Sequence, residues 1–307
     1  MHCKLCSGPF KPEYHLDTNG VCPYAAAPVV YTEAVNAVPE SQDAYFSIPD
    51  NYRWAFNIEM ARKKRGNVLV TGPSGCGKTE IAKFLSTNPT VINCAAMTTA
   101  SQWGGERSLV EQNGVVVTTF TPSRFVMSLE RPGEIILDEF NRVPDAIRNL
   151  LLALMDGQRT FENPITHQLH FRHDECMIIM TANIGYEYSG TMAIDPAFIS
   201  RSRRVTMDYP SQAEEVRIVQ SRHPIDATTL GTLIRFANNI RSKKAEHPTF
   251  PNIGTRDILD IAEAISLGAP LEMALALSVM ANVDTTGGVS STYAEIQSIW
   301  VASQEGN

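Results

Sequence analysis

The stretch that decides the fold is NVLVTGPSGCGKTEIAKFLS, residues 67–86. It opens with a short apolar run and continues with GPSGCGKT, residues 72–79, which fits the pattern G-x-x-x-x-G-K-[ST]. A helical pattern follows directly. Glycines let a backbone curl so that successive N–H groups point inward, and the N-terminus of the next helix adds positive potential. The stretch therefore predicts a strand, a phosphate-binding loop and a helix; the alternative is a glycine-rich turn without a ligand.

We predict that this loop binds ATP together with Mg²⁺. Lys78 is expected to reach the terminal phosphates, and the Thr79 hydroxyl is expected to bind the Mg²⁺ ion. Any small side chain fits at Cys76, so we assign no chemistry to its thiol. The predicted nucleotide-binding residues of the loop are Gly72, Pro73, Ser74, Gly75, Cys76, Gly77, Lys78, Thr79 and Glu80.

A second motif, EIILDEFNRVP, covers residues 134–144. Its apolar run leads into the acidic pair Asp138 and Glu139, which a buried strand would place at the carboxyl edge of a sheet, beside the phosphate loop. We predict that Asp138 holds Mg²⁺ through water and that Glu139 polarises the water that attacks the γ-phosphate. The alternative is a strand end that carries two solvated acids.

A third apolar run, CMIIMTAN, ends at Asn183. An amide at the same sheet edge is suited to orient the attacking water or to sense the γ-phosphate, so Asn183 is a candidate catalytic residue. The alternative is an asparagine that only forms a turn.

The order of apolar runs and helical patterns predicts an α/β fold with a parallel sheet. Four apolar runs alternate with helical patterns between residues 66 and 210. Two β-hairpins are expected as insertions, one around Asn113-Gly114 and one in RTFENPITHQLHF, residues 159–171. We divide the chain into a segment 1–27, a linker and helix 28–65 that Asp50 caps and Gly66 stops, an ATPase core 66–210, and a helical lid domain 211–307.

The N-terminal segment contains a candidate zinc site. Cys3, Cys6, His15 and Cys22 are spaced as C-x2-C-x8-H-x6-C, and three thiolates with one imidazole suit a tetrahedral Zn²⁺. Residues 1–27 contain few large apolar residues, so a metal would explain how they fold. The alternative is three reduced thiols on an arm without structure.

Bulk properties restrict the class of partner. The net charge of −7 gives no overall attraction towards DNA or RNA, which argues against nucleic-acid binding. No apolar run approaches the ~18 residues of a membrane span, and MHCKLCSGPF lacks the pattern of a secretory signal. Scattered cysteines suit a reducing compartment, so we predict a cytoplasmic protein without a membrane contact.

Taken together, these motifs resemble those of the AAA+ ATPases. LDEFNRVP is similar to the LDE-N-R-P signature of the MoxR branch, which includes CobS-type chelatase subunits and the NorQ/CbbQ activators. The segments NGVVVTTFTPSRFVMSLERPGEIILDEF and GYEYSGTMAIDPAFISR also resemble that branch, and the resemblance covers about residues 40–280. It implies a P-loop core with a helical lid, closed into a ring that usually has six subunits.

The resemblance also implies roles for particular arginines. Arg201 matches the arginine that reaches into the neighbouring subunit's site, but it stands in Ser200-Arg201-Ser202 where relatives have Asp-Arg and an aromatic residue. That departure keeps Arg203 as a competitor for the role. Arg256, in GTR, matches the lid arginine that reaches the γ-phosphate of its own subunit.

The loop TTASQWGGERS, residues 98–108, matches one that faces the central pore in the family. Trp103 is then a candidate to grip a polypeptide that passes through the ring. The alternative is a tryptophan that packs beneath a loop.

The sequence thus predicts Mg²⁺-dependent ATP hydrolysis in an oligomeric ring. The work done would be remodelling of a client protein or insertion of a metal or cofactor, as in MoxR and CobS relatives, often with a von Willebrand A-domain partner. Two alternatives are a nucleic-acid-stimulated AAA+ motor or loader and a nucleotide-gated scaffold. The intact pair Asp138 and Glu139 argues against the scaffold.

Overall fold

The computed structural model describes residues 47–112, 115–183, 193–244, 246–283 and 291–305. The candidate zinc ligands lie outside these residues. The strands are β1 Asn67–Gly72, β2 Pro89–Asn93, β3 Gly105–Gln112, β4 Val115–Pro122, β5 Gly133–Asp138, β6 Thr160–Glu162, β7 Leu169–Phe171, β8 Cys176–Asn183 and β9 Arg203–Thr206. The α-helices are α1 Asp50–Met60, α2 Lys78–Leu85, α3 Ala100–Gly104, α4 Arg124–Leu129, α5 Asp145–Met155, α6 Pro196–Ser200, α7 Gln212–Gln220, α8 Ala227–Lys243, α9 Thr255–Ser266, α10 Leu271–Ser278 and α11 Thr292–Glu305.

A five-stranded parallel sheet forms the centre of the α/β region, with the strand order β2-β5-β8-β1-β9. The predicted parallel α/β fold is confirmed, and β2, β5, β8 and β1 correspond to the four apolar runs. Strand β9 is a finding that the sequence pattern did not predict. It is short, and Val205 is its one buried residue, so it has no apolar run to reveal it.

The alternation of side chains along the strands fills both faces of the sheet. In β5, Ile135 and Leu137 join the core cluster that includes Leu151 of α5, whereas Ile136 joins the opposite cluster with Tyr52 of α1. Each of the three isoleucine and leucine side chains is at most 1% exposed. Helices α4 and α5 therefore cover one face, and α1 and α2 cover the other.

Both predicted hairpins are present. Strands β3 and β4 pair antiparallel from Gly105–Pro122 to Gln112–Val115, and the turn residues Asn113 and Gly114 lie outside the described residues. Strands β6 and β7 form the second antiparallel pair.

The structure corrects two local predictions. Trp103 is fully buried: its Nε1 donates to the Met97 carbonyl at 3.0 Å, and its ring meets Phe125 edge to face with centroids 4.9 Å apart. The pore-gripping interpretation of Trp103 is therefore wrong, and the packing alternative holds. Helix α1 ends at Met60 rather than at Gly66, and Asp50 lies in its first turn without capping it.

The described residues after 210 are helical and have a core of their own. Helices α7 to α11 contribute buried side chains such as Leu233, Phe236, Ile258 and Ile296 to one cluster. Within the ranges that the structure describes, no helix combines the length and apolar composition needed to cross a bilayer.

Candidate active site

A cleft of about 560 Å³ lies where the carboxyl ends of β1, β5 and β8 meet the helical lid. Because the strands are parallel, Gly72 at the end of β1 stands level with Asn183 at the end of β8. Asp138 ends the strand β5 on the other side of β8. The sheet thus brings the three predicted motifs together at one edge, and Lys78, Asp138, Glu139 and Asn183 all line the cleft.

The phosphate loop has the backbone shape that its glycines predict. Gly75 has φ = +75° and Gly77 has φ = +92°, in the left-handed region that side chains disfavour. Gly77 is the residue immediately before α2, so the helix N-terminus opens towards the loop. This arrangement directs backbone N–H groups and the positive end of the helix dipole at the cleft.

Lys78 is held in the loop by backbone carbonyls. Its side chain is buried, and Nζ donates to the Gly72 carbonyl at 3.0 Å and to the Pro73 carbonyl at 2.5 Å. Burial lowers the pKa of the Lys78 ammonium, because removal from water disfavours its charge, while the nearby Cys76 and Asp138 act in the opposite direction. A phosphate beside Lys78 would favour the charged form further.

Asp138 is the centre of a hydrogen-bond cluster. Thr79 Oγ1 donates to Asp138 Oδ1 at 2.5 Å, and Thr181 Oγ1 donates to the same oxygen at 2.6 Å. Carboxylate and hydroxyl oxygens are the ligands that Mg²⁺ prefers. The oxygen pair of Thr79 and Asp138, at the mouth of the phosphate loop, therefore fits a Mg²⁺ ion that also contacts phosphate.

Glu139 follows Asp138 in a left-handed backbone conformation, with φ = +55°. Its N–H donates to Thr181 Oγ1 at 3.2 Å, and its Oε2 lies 3.1 Å from Nε of Arg142. Sequence reasoning did not single out Arg142 or Thr181. The arginine of LDEFNRVP was a visible signal, whereas Thr181 became relevant only through the pairing of β5 with β8.

The lid supplies Arg256 to the same cleft. Arg256 is the second residue of α9, is exposed, and lines the cleft beside the phosphate loop. Its neighbour Thr255 is buried and donates through Oγ1 to Glu215 Oε1 at 2.7 Å. The predicted lid arginine therefore shares a cavity with Lys78.

Arg201 lies at the opposite edge of the sheet. Its carbonyl accepts from Asn67 Nδ2 at 2.8 Å, and Asn67 is the first residue of β1 whereas the phosphate loop begins at its last. Five residues of strand separate the two levels by roughly 16 Å. The exposed Arg201 side chain bonds to the Ala197 carbonyl at 3.0 Å, and it is not among the described residues that line the cleft.

Arg203 is engaged within its own chain. Its Nε lies 2.6 Å from Oε1 of Glu59, a carboxylate on α1 that is 2% exposed. Strand β9 pairs Arg203 with Val68 of β1, which fixes its backbone as well. The two arginines thus differ in their surroundings. The Arg201 side chain is exposed, whereas the Arg203 side chain pairs with the buried carboxylate of Glu59.

Comparisons with known proteins agree with this geometry. Residues 67–202 match the family model described as an AAA domain of the dynein-related subfamily. The chain is 27% identical over 260 residues to a Thauera aromatica protein named "Putative chaperone BssE", which covers 82% of this chain and 88% of that protein. It is 21% identical to an uncharacterized protein of Staphylococcus saprophyticus, over 70% of this chain and 83% of that one. It is also 26% identical to uncharacterized protein YojN of Bacillus subtilis, over 50% and 51% of the two chains.

The matched range runs from the first residue of β1 to just before β9 and contains the phosphate loop, both acids and Asn183. Residues 67–202 are therefore similar to an AAA domain, and this similarity agrees with the α/β fold and the parallel sheet that the structure has.

Proposed function

We propose that this protein hydrolyses ATP with Mg²⁺ as part of a ring of identical subunits, most often six, and uses the energy to remodel a client protein. The single observation that carries the proposal is the contact of Thr79 with Asp138 at 2.5 Å, next to Glu139 and at the mouth of the phosphate loop. That set combines a phosphate cradle, hard oxygen donors and a carboxylate base in one cleft.

Each side chain has a distinct task in this mechanism. Backbone N–H groups of the loop and Lys78 bind the phosphates, and Thr79 and Asp138 would hold Mg²⁺, which neutralises charge that develops on them. Glu139 is the carboxylate that accepts a proton from the attacking water. Asn183, level with Gly72, orients that water or contacts the γ-phosphate. Arg256 contacts the γ-phosphate from the lid.

The trans arginine completes the site. Phosphoryl transfer spreads negative charge over the γ-phosphoryl oxygens. An arginine that contacts these oxygens stabilises the transition state and raises the rate by a large factor. Arg201 is exposed and lies roughly 16 Å of strand away from its own phosphate loop, which supports a role in a neighbouring subunit. We assign it this role ahead of Arg203, which pairs with the buried Glu59.

The client side of the proposal rests on relatives. The name of the Thauera aromatica relative, a putative chaperone, and the LDEFNRVP motif both favour protein remodelling of the MoxR and CobS kind, including assisted insertion of a metal or cofactor. A separate von Willebrand A-domain protein is the partner we propose to test first. Zinc binding by Cys3, Cys6, His15 and Cys22 stays a prediction, as a structural or docking element.

A nucleic-acid motor is the second candidate for the same ATPase core. The net charge of −7 disfavours it, because binding to a phosphate backbone depends on basic surface. A nucleotide-gated scaffold is the third, and the presence of both Asp138 and Glu139 beside the phosphate loop argues for turnover instead.

Steady-state ATP hydrolysis tests the proposal. The protein is expected to hydrolyse ATP with Mg²⁺, and Glu139→Gln is expected to keep ATP affinity while turnover falls at least ~100-fold, since a positioned base contributes that much or more. Glu272→Gln, a change of an exposed glutamate on α10, is the matched control and should leave turnover unchanged.

Three results would contradict the proposal. They are no hydrolysis by the assembled protein, wild-type turnover by Glu139→Gln, and stimulation by DNA but not by a candidate client or von Willebrand A-domain protein. The first result would favour the scaffold and the last would favour the nucleic-acid motor.

A further inference from the structure

A continuous set of side chains joins the helical lid to the phosphate loop. We call it the lid bridge; its members are Ser74, Tyr209, Glu215, Arg241 and Thr255. It begins at a carbonyl of the phosphate loop and ends next to Arg256, one of the lid residues that line the same cleft. The motifs that identify the ATPase core do not include Tyr209, Glu215 or Arg241.

Tyr209 forms the end of the bridge at the phosphate loop. It lies between β9 and α7, where the chain passes from the core into the lid. Its hydroxyl donates to the Ser74 carbonyl at 3.2 Å. The guanidinium of Arg241 stacks over its ring, 4.0 Å from the centroid. One side chain thus contacts a loop carbonyl and a lid cation together.

Arg241 and Glu215 form the lid end. Two hydrogen bonds of 2.9 Å join them in a bidentate pair, and the side chains are 9% and 0% exposed. Arg241 Nε donates to the Ile253 carbonyl at 2.7 Å, and Glu215 Oε1 accepts from Thr255 Oγ1 at 2.7 Å. The buried pair therefore fixes residues 253–255, which lead directly into Arg256.

The backbones of the two regions are also in contact. A Cβ on Gly254 would lie 2.9 Å from Gly75 Cα and 2.9 Å from the Ser74 carbonyl oxygen. Such contacts are too short for a side chain, so α9 begins directly against the phosphate loop. Any shift of this helix start would move Arg256 relative to the phosphates.

We propose that Tyr209 and Arg241 are positioning residues that hold Arg256 in register with the phosphate loop, so that the lid distinguishes ATP from ADP. The proposal rests on the proposed function, because it concerns the same nucleotide site. Breaking a buried bidentate ion pair is costly, and the guanidinium stack ties that pair to the connection between core and lid. The bridge therefore resists rotation of α9 away from the loop.

The experiment measures dissociation constants for MgATP and MgADP in the Glu139→Gln background, where turnover is blocked. Arg256→Ala is expected to weaken ATP ~10-fold relative to ADP, the value of a lost charge-assisted contact with the γ-phosphate. Tyr209→Leu and Arg241→Lys are expected to reduce the ATP-to-ADP preference in the same direction. Adding Arg256→Ala to Tyr209→Leu is expected to cause little further loss, because coupled positions are not additive.

A conservative variant and a control variant distinguish a positioning effect from a general loss of folding. Tyr209→Phe removes one oxygen, keeps the ring under Arg241, and is expected to lower the preference ~3-fold, in line with a single neutral hydrogen bond. Tyr293→Leu is the control, since that lid tyrosine bonds to Gln297 within α11 and does not line the cleft. It should bind both nucleotides as the parent does.

The outcomes separate this inference from the function on which it rests. Equal weakening of ATP and ADP by the Tyr209 and Arg241 variants, an unchanged preference, or additive effects with Arg256→Ala would each overturn the bridge as a positioning device. If Arg256→Ala itself leaves the preference unchanged, the role of Arg256 and the inference fail while ATP hydrolysis stands. If the parent binds neither nucleotide, both the inference and the proposed function fail.

Discussion

The two edges of the central sheet are built for different purposes. At the carboxyl edge, Thr79, Asp138 and Asn183 converge on one cleft, and their polar atoms face the space that a nucleotide would fill. At the amino edge, Asn67 and Arg172 are buried, bond to main-chain groups and bond to each other. The carboxyl edge thus presents the side chains that we propose for nucleotide binding, whereas the amino edge bonds to the backbone at Arg201 and leaves the Arg201 side chain exposed.

One buried guanidinium, that of Arg172, connects several groups at the amino edge. Arg172 donates to Asn67 Oδ1 at 2.6 Å and to the Cys176 carbonyl at 2.9 Å. Burial lowers the pKa of Arg172 to about 10, so the group stays charged at neutral pH. Asn67 in turn donates to the carbonyls of Met155 and Arg201. The start of β1 is thereby connected to the residue that we assign to the neighbouring site.

The largest expected effect comes from substituting one residue of each edge, Arg201 and Lys78, in different subunits of a mixed ring. Arg201→Ala removes charge stabilisation in the neighbour, and Lys78→Ala removes phosphate binding in its own subunit, so each variant alone should lose ~10³-fold or more in turnover. When the two variants are mixed in equal amounts and assemble at random, about a quarter of the interfaces in the ring combine an intact phosphate loop with an intact Arg201. Steady-state ATP hydrolysis of the mixture should therefore recover part of the wild-type rate.

The matched control combines Lys78→Ala with a Lys78→Ala/Arg201→Ala double variant, which contains no complete site and should not recover. Arg203→Ala alone should retain most of its turnover, because Arg203 pairs with Glu59 in the same chain. If Arg203→Ala is inactive while Arg201→Ala turns over normally, the trans role moves to Arg203. If no mixture recovers, the two edges do not act across subunits.

The same contrast explains what could be predicted from the sequence. At the carboxyl edge, the candidate site is built from contiguous motifs: GPSGCGKT forms the loop, and Asp138 and Glu139 follow an apolar run. Parallel pairing then brings such motifs together without further information. The position of Asn183 beside the loop followed from the same rule and agrees with its register opposite Gly72.

The remaining features depend on contacts between distant residues. Asn67 meets Arg172, 105 positions away, and Tyr209 meets Ser74, 135 positions away, and neither pair has a local pattern. Strand β9 was missed because two of its four residues are exposed arginines. The resemblance of its loop to a pore loop left two interpretations of Trp103 open, and its burial against Phe125 decides for the packed one.

The amino edge is expected to affect stability more than chemistry, and Asn67→Ala measures this. The change leaves the carbonyls of Met155 and Arg201 without their donor and removes an acceptor from Arg172. Loss of about 3 kcal/mol in the free energy of unfolding is expected for buried polar groups deprived of partners. Urea denaturation measures it, with Asn88→Ala, a change of an exposed asparagine, as the control. If both variants have the same free energy of unfolding, Asn67 does not stabilise the amino edge as predicted.

At the carboxyl edge, a change at Thr181 is expected to affect turnover more than stability. This is the smallest of the effects that we predict. Thr181→Val keeps the shape of the side chain but removes the donor to Asp138 Oδ1 and the acceptor of the Glu139 N–H. Asp138 then keeps its hydrogen bond from Thr79. We therefore expect turnover to fall ~10-fold, which corresponds to about 1.4 kcal/mol, chiefly at low Mg²⁺. The loss in the free energy of unfolding should be smaller than that caused by Asn67→Ala.

The turnover of Thr181→Val is measured across a Mg²⁺ titration and compared with that of Thr90→Val. Thr90 is also buried on a parallel strand, but its hydroxyl accepts from Ser128 and lies outside the residues that line the cleft. A fall in turnover with Thr181→Val and not with Thr90→Val places the effect at the carboxyl edge rather than in the core at large. Wild-type turnover and Mg²⁺ dependence in Thr181→Val would instead mean that Thr79 alone orients Asp138, and that the strand pairing of β5 with β8 contributes geometry but no chemistry to the site.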